Sequence, residues 1–261
     1  MIGPLIGAGY TAEVFDAGDG KAVKLFYEGY PAASVRAEFA NAQLLGQLDI
    51  PVIQSYELIE YEGRHGIVYE RAAGQSMLKL LLQTGDIEQY AAALAALHKQ
   101  IVACTLPEAT PLIAHLRRNI EAASALDERA RLKLLAKLDT LPDGEQACHG
   151  DFHFGNVVTE QERSYIIDYM NVCRGHPHGD AARTVYLIEM TPVPAGLDNV
   201  ELVRAMKKQG ADIYLQQMGI SRESLLDWLV VTAAARLTEL ADDHVEERTT
   251  VLEFLSEHGI M

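Results

Sequence analysis

The sequence is poor in positive charge. Lys and Arg number 22 against 37 Asp and Glu, a formal net charge of −15 over 261 residues. Nucleic-acid surfaces need basic patches that displace counterions from phosphate, so no nucleic-acid partner is expected. The same deficit serves solubility and leaves room for a cationic small substrate. Long apolar runs are missing as well. Nothing approaches the stretch of about eighteen apolar residues that a spanning helix needs, so no membrane role is expected. The opening "MIGPLIGAGY" has neither a basic nor a long apolar segment, and no signal peptide is expected. Cysteine is scarce. Cys104, Cys148 and Cys173 give no even disulfide framework, which favours a reducing, cytoplasmic setting. No internal repeat and no low-complexity tract appears. What remains is ordinary globular composition, 49% apolar and 23% charged, on a chain long enough for one enzyme body of two lobes.

The first seventy residues read as strands around one helix. "GPLIGAGYTAEVFDAG" alternates after a glycine turn, "GDG" turns tightly, and "KAVKLFYE" supplies a third strand. "PAASVRAEFANAQLLGQL" then places Val35, Phe39, Ala42, Leu45 and Leu48 at helical spacing, with Pro31 in the first turn. "QSYELIEY", the turn "EGRH" and "GIVYERA" form a hairpin. The expectation is a five-stranded antiparallel sheet with one helix. Beyond residue 74 the pattern turns helical. Asp86 and Gln89 resemble a capping box, and Ile87, Tyr90, Ala91, Leu94, Leu97 and Ile101 form an apolar face. A helix pair is expected over about 111–140, a short strand at "SYIIDYM", and helices near 180–190, 198–218, 222–242 and 245–257. The acidic run "TELADDHVEER" reads as a solvated helix face.

Between the helix pair and that strand lies "ACHGDFHFGNVV", which sets His149, Asp151, His153 and Asn156 between apolar flanks. Two chemistries fit such a cluster. His-x-Asp-x-His, with Cys148, Cys173, His176 and His178 nearby in sequence, can hold zinc. A hydrolytic metal site draws further ligands from other strands, and the first 140 residues show no second His and Asp cluster. Phosphoryl transfer needs parts in a fixed order. A glycine loop lets backbone N–H groups approach phosphate. A strand lysine reaches the phosphates and a helix glutamate holds that lysine. One aspartate takes a hydroxyl proton, while an asparagine and a second aspartate hold Mg²⁺. The chain offers Gly7 and Gly9, Lys24, Glu38, Asp151, Asn156 and Asp168 in that order. Each part alone has a structural reading: a plain hairpin, an edge lysine, a helix-surface charge. The ordered set favours phosphate chemistry.

"HGDFHFGNVV" followed by "IIDYMNVCRGHPHGDAARTVYLI" resembles the aminoglycoside phosphotransferase and choline kinase group of the protein-kinase-like fold, whose pattern runs H-G-D-x-x-x-x-N, I-D and G-x-P-x-x-D. The resemblance implies an α+β, two-lobed protein-kinase-like fold. A small antiparallel sheet lobe with one helix (1–71) would bind nucleotide, and a larger, mainly helical lobe (72–261) would carry catalysis and the acceptor. It implies Asp151 as catalytic base, Asn156 and Asp168 as metal ligands, and Lys24 with its partner Glu38 on the phosphates. The segment 69–72, through the backbone of Glu70 and Ala72, would meet a purine edge. The chain departs from the pattern at Ala12, where a third loop glycine would fall, and at Phe154, where a proline is frequent. Tyr169-Met170 follows the metal aspartate, so no protein-kinase activation switch is expected.

His149 is expected to brace the loop, Asp180 to cap a helix while bonding the loop backbone, and His98 to be a core histidine. His176 and His178 read as solvated or bonded to backbone, and His153 is left without a role. The reading is an ATP- or GTP-dependent, Mg²⁺-requiring kinase acting on a hydroxyl of a small, cationic or neutral molecule. Its alternatives are a nucleotide-binding protein without turnover and a zinc-dependent hydrolase. For the acceptor, Glu239, Asp242, Asp243, Glu246 and Glu247 would suit a polycation, while Trp228, Tyr186 and Tyr214 would suit a quaternary ammonium cage. Both compete with plain helix core and helix surface.

Overall fold

The computed structural model describes residues 2–193 and 199–261. In chain order the first elements are β1 (Leu5–Ala8), β2 (Ala12–Gly18), β3 (Lys21–Phe26), α1 (Ala32–Leu45), β4 (Ser55–Tyr61) and β5 (Arg64–Glu70). They are followed by β6 (Gln75–Ser76), α2 (Met77–Thr84), α3 (Ile87–Val102), α4 (Leu112–Ala122), α5 (Glu128–Leu138) and β7 (Gln146–Cys148). The last elements are β8 (Val157–Glu160), β9 (Arg163–Ile166), β10 (Cys173–Gly175), α6 (Pro177–Glu189), α7 (Val200–Met218), α8 (Arg222–Arg236) and α9 (Val245–Glu257). Contacts divide the chain into two compact units: Met1–Gln83 with Phe154–Val172, and Thr84–His153 with Cys173–Met261.

The first unit carries an antiparallel sheet in the order β1-β2-β3-β5-β4. The "GDG" turn closes β2 on β3 with Asp19 and Gly20 both at positive φ, the backbone that two-residue hairpins demand. On β3 the period of two sends Val23 and Leu25 to one face, where they pack with Val68. Lys24 points to the other face, with Ala22 and Phe26. Helix α1 covers that second face with Val35, Glu38, Ala42 and Leu45 buried. Phe39 and Leu48, expected on this face, are only half-buried, and Pro31 is the N-cap rather than a first-turn residue. Val35, Ala42 and Leu45 keep their expected slots, and Glu38 is buried where Phe39 was expected.

A second sheet, β6-β8-β9, was not anticipated in full. Strand β6 approaches β8 at Gly74, where a Cβ would collide with the Thr159 carbonyl. This pairing explains why the contact division falls at Gln83 and not at the expected 71–72 boundary, and why Phe154–Val172 belongs with the first unit. Helix α2 was also missed.

In the second unit Asp86 caps α3, accepting the Gln89 N–H at 3.0 Å as the capping-box pattern foresaw. Ile87, Ala91, Leu94, Leu97 and Ile101 are buried, and Tyr90 is half-buried. Helix α6 is buried on every side from Gly179 to Tyr186, the mark of a helix enclosed by other elements. It begins at Pro177, three residues before the expected start, with proline at a first-turn position where no N–H is missed. The expected α7 start at 198 lies outside the described residues. Helix α8 ends at Arg236 rather than 242, and residues 237–244 turn instead of continuing as a helix face. Strands β7 and β10 pair antiparallel and hold the ends of the polar loop and of α6 in register.

Candidate active site

In the first unit the Lys24 ammonium lies between two carboxylates. Its Nζ donates to Glu38 Oε1 at 2.7 Å and to Asp168 Oδ1 at 3.0 Å. Burial works against the lysine's charge, but Asp168 and Glu38 outweigh it and raise its pKa. Glu38 is fully buried, and burial pushes its carboxyl up against the pull of Lys24. Tyr69 donates to the same Oε1 at 3.0 Å, while Oε2 is buried without a hydrogen-bond partner. The tyrosine was not foreseen as part of the cluster. Its sign was the strand alternation that turns residue 69 to the face of residue 67.

Asp168 lies just past β9, not inside the expected strand, which ends at Ile166. Its φ is 69°, left-handed backbone that a non-glycine residue adopts at a cost and that gathers at functional positions. The Ile167 N–H donates to the Asn156 carbonyl at 3.0 Å, so the stretches bearing Asn156 and Asp168 adjoin. Asn156 is buried, while the Asp168 side chain is 38% exposed. A carboxylate open to solvent and an asparagine on the adjoining stretch are the residue types that suit a hard cation, which keeps several waters and takes phosphate oxygens for the rest. Among the described residues no group of three His, Cys, Asp or Glu could hold a metal. The zinc alternative therefore lacks a ligand set there, since a structural zinc site needs four protein ligands and a catalytic one three.

Gly7 and Gly9 sit at the β1–β2 hairpin. A Cβ on either would meet only ordinary contacts, at 3.8 Å from Val14 and from the Ala12 carbonyl, and neither has positive φ. The hairpin itself does not require them. Glu70 ends β5 with its N–H bonded to the Gln54 carbonyl at 2.7 Å, which leaves that N–H engaged within the protein. Ala72 follows the strand, half-buried.

The second unit holds residues 149–153. Gly150 is at φ 75°, a conformation that suits glycine and turns the chain directly before Asp151. The loop hangs on Asp180. This carboxylate is buried and accepts the His149 N–H at 2.7 Å, the Gly150 N–H at 2.8 Å and His98 Nε2–H at 2.9 Å. Burial would push its pKa up, but His98, His149 and the Gly150 N–H hold it low. Asp180 bonds the loop backbone as expected, yet it sits inside α6, whose cap is His176, accepting the His178 N–H. His98 is a core histidine, its Nδ1 at 2.5 Å from the Tyr214 hydroxyl. His149 is buried and accepts the Asp151 N–H at 3.3 Å, bracing the turn.

Asp151 itself is one-quarter exposed, with His153 Nε2 at 3.7 Å and Arg183 Nη2 at 3.6 Å. Burial is outweighed by His153, Arg183 and His149, and its pKa lies below the ordinary carboxylate value. The group is an ionised carboxylate at neutral pH, able to accept a proton or orient a hydroxyl.

The model of the phosphotransferase enzyme family matches residues 3–205. The chain belongs to that family. No curated protein matches this phosphotransferase in sequence. Among solved structures it is similar to the aminoglycoside phosphotransferase APH(4)-Ia in ternary complex with AMP-PNP and hygromycin B, with 14% identity and a TM-score of 0.69, covering 97% of this chain and 91% of that one. An amicoumacin kinase with AMP-PNP and Ca²⁺ gives 16% identity and a TM-score of 0.64 over 99% and 89% of the two chains. A putative fructosamine-3-kinase from Haemophilus somnus gives 11% and 0.59 over 97% and 90%. The fold is the α+β, protein-kinase-like one.

The acceptor hints fare differently. Trp228, Tyr186 and Tyr214 are all buried in the helical core, so they form no open cage. His176 stacks on Trp228 with ring centroids 5.8 Å apart. The acidic run is not simply a solvated face. Glu239 binds Arg183 at 2.7 Å and Arg236 at 2.9 Å, and Glu247 is buried against Arg236 and Tyr186.

Proposed function

We propose that this phosphotransferase moves the γ-phosphoryl group of a nucleoside triphosphate, ATP or GTP, to a hydroxyl of a small molecule. The observation that carries the reading is the Lys24 ammonium held between Glu38 and Asp168. A lysine is a point charge on a flexible stem and needs carboxylates to aim it. Lys24 would position the donor's phosphates, with the backbone around Gly7 and Gly9 close by and that of Glu70, through its carbonyl, and Ala72 along the base. Asn156 and Asp168 would hold Mg²⁺, which when bound neutralises charge on the phosphates. Asp151 would orient the acceptor hydroxyl and take its proton. Positioning and electrostatics supply most of the barrier lowering in this chemistry. Residues 1–71 would serve the nucleotide and 72–261 catalysis and the acceptor, in a cytoplasmic protein.

Similar structures include an aminoglycoside phosphotransferase with hygromycin B bound, an amicoumacin kinase and a putative fructosamine-3-kinase. That supports an alcohol-bearing, amine-containing class without choosing within it. ADP release from MgATP across a panel of aminoglycosides, amino alcohols and sugar amines tests the reading. Nucleotide binding with no acceptor-dependent ADP release would favour the non-catalytic alternative.

A further inference from the structure

Asp180 and Arg183 lie one helical turn apart on α6 and serve the same loop. Asp180 holds its backbone. Arg183 reaches its side chain. The Arg183 side chain is 10% exposed, and a single nitrogen, Nη2, stands 2.7 Å from Glu239 Oε2 and 3.6 Å from Asp151 Oδ1. Nη2 thus hydrogen-bonds Glu239 and stands in ion-pair range of Asp151, while Nε is buried without a hydrogen-bond partner. Glu239 is fixed in turn. It accepts Arg236 Nη1 at 2.9 Å, with Asn119 Nδ2 at 3.3 Å and His115 Nε2 at 3.9 Å on its other oxygen. Arg236 continues to Glu247 at 2.9 Å, which also accepts the Tyr186 hydroxyl at 2.7 Å. Within this unit the charged and titratable groups facing Asp151 are His153 and His149 from its own loop and Arg183 from α6. Glu239 and Arg236 lie behind Arg183.

We infer that Arg183 is a positioning residue that holds the Asp151 carboxylate in place and ionised, with Glu239 and Arg236 fixing the guanidinium. The inference rests on the reading of Asp151 as base. An arginine one-tenth exposed and anchored by a second carboxylate cannot drift from the aspartate as a surface lysine would. It also explains why Glu239 is not free to draw a polycation: its charge is matched by two arginines.

The test is a carboxyl titration by carbon-13 NMR on aspartate-labelled protein, with the Asp151 signal identified by its loss in Asp151→Asn. In the parent protein Asp151 titrates below the ordinary aspartate range. Arg183→Gln moves that titration up by about one pH unit or more, the effect of removing a cation at such range. Arg183→Lys, which keeps the charge, stays closer to the parent than the Gln variant. MgATP affinity is the same in all three. Arg183→Met, which keeps the aliphatic stem, replaces the Gln variant if that one does not fold. An unmoved Asp151 titration in the uncharged variants would overturn the inference. So would a Lys variant that titrates like Gln, or a loss of MgATP affinity marking Arg183 as a phosphate ligand. Failure of the base reading looks different: Asp151→Asn would retain acceptor-dependent ADP release whatever Arg183 does.

Discussion

The Lys24 ammonium is 2.7 Å from a Glu38 oxygen that solvent does not reach, and Tyr69 donates to that same oxygen. Each partner's position depends on the other. Removing Lys24 leaves a buried carboxylate without its cation, and removing Glu38 leaves the lysine to Asp168 alone. A double-mutant cycle on MgATP affinity with Lys24→Met and Glu38→Gln should therefore show a coupling of about 1–3 kcal/mol, as contacting charged groups do. Additive losses would take the pair out of nucleotide binding.

Asp151→Asn keeps the size of the side chain and removes its basicity. Turnover with any acceptor found in the panel should fall by about 10²–10⁴-fold, the range for a lost general base. MgATP affinity should stay unchanged, since the nucleotide is assigned to Lys24, Asn156 and Asp168. Stopped-flow binding beside steady-state rates separates the two effects. A variant that turns over at the parent rate would require another base.

Asp168→Ala should abolish phosphoryl transfer and remove the Mg²⁺ dependence of nucleotide binding. The left-handed backbone at residue 168 makes Asp168→Gly the informative companion, because glycine relieves the strain while still lacking the carboxylate. If strain alone mattered, glycine would restore metal-dependent binding where alanine does not. Equal loss in both variants assigns the effect to the carboxylate.

How much of this was legible in the sequence depended on the range of the interaction. Lys24 and Glu38 were readable because phosphoryl transfer needs its parts in a fixed order, and the structure brings the two together. The burial of Glu38 in place of Phe39 was not. Apolar periodicity assigns the buried slot to phenylalanine, and only the lysine opposite reverses that choice. The loop's dependence on Asp180 was read in part, as a helix cap that also bonds the loop backbone. The roles of Arg183 and Glu239 were not, because their pairing spans 56 residues and joins a helix interior to a turn. The turn itself looked like a continuing acidic helix. Strand β6 was missed because two residues carry no period, and its sign was Gly74 alone.

Asp180 offers a test of what holds the loop in place. Its buried carboxylate accepts three N–H donors, from His149, Gly150 and His98. Asparagine has the same shape but turns an NH₂ group toward at least one of those donors, leaving buried groups unpaired. Asp180→Asn should cost about 3–5 kcal/mol in urea unfolding near neutral pH, the scale for breaking a buried charged network. The pH dependence carries the sign. The folded pKa of Asp180 is held below its unfolded value of about 3.9. The stabilisation is therefore fully present above that value and disappears as pH falls through the lower, folded one. The stability gap between parent and variant should be constant from about pH 7 to about pH 5, then narrow in more acidic solution. A gap that persists unchanged in acid would mean that shape, not charge, joins Asp180 to the loop, and a gap near zero at neutral pH would deny it the role of anchor.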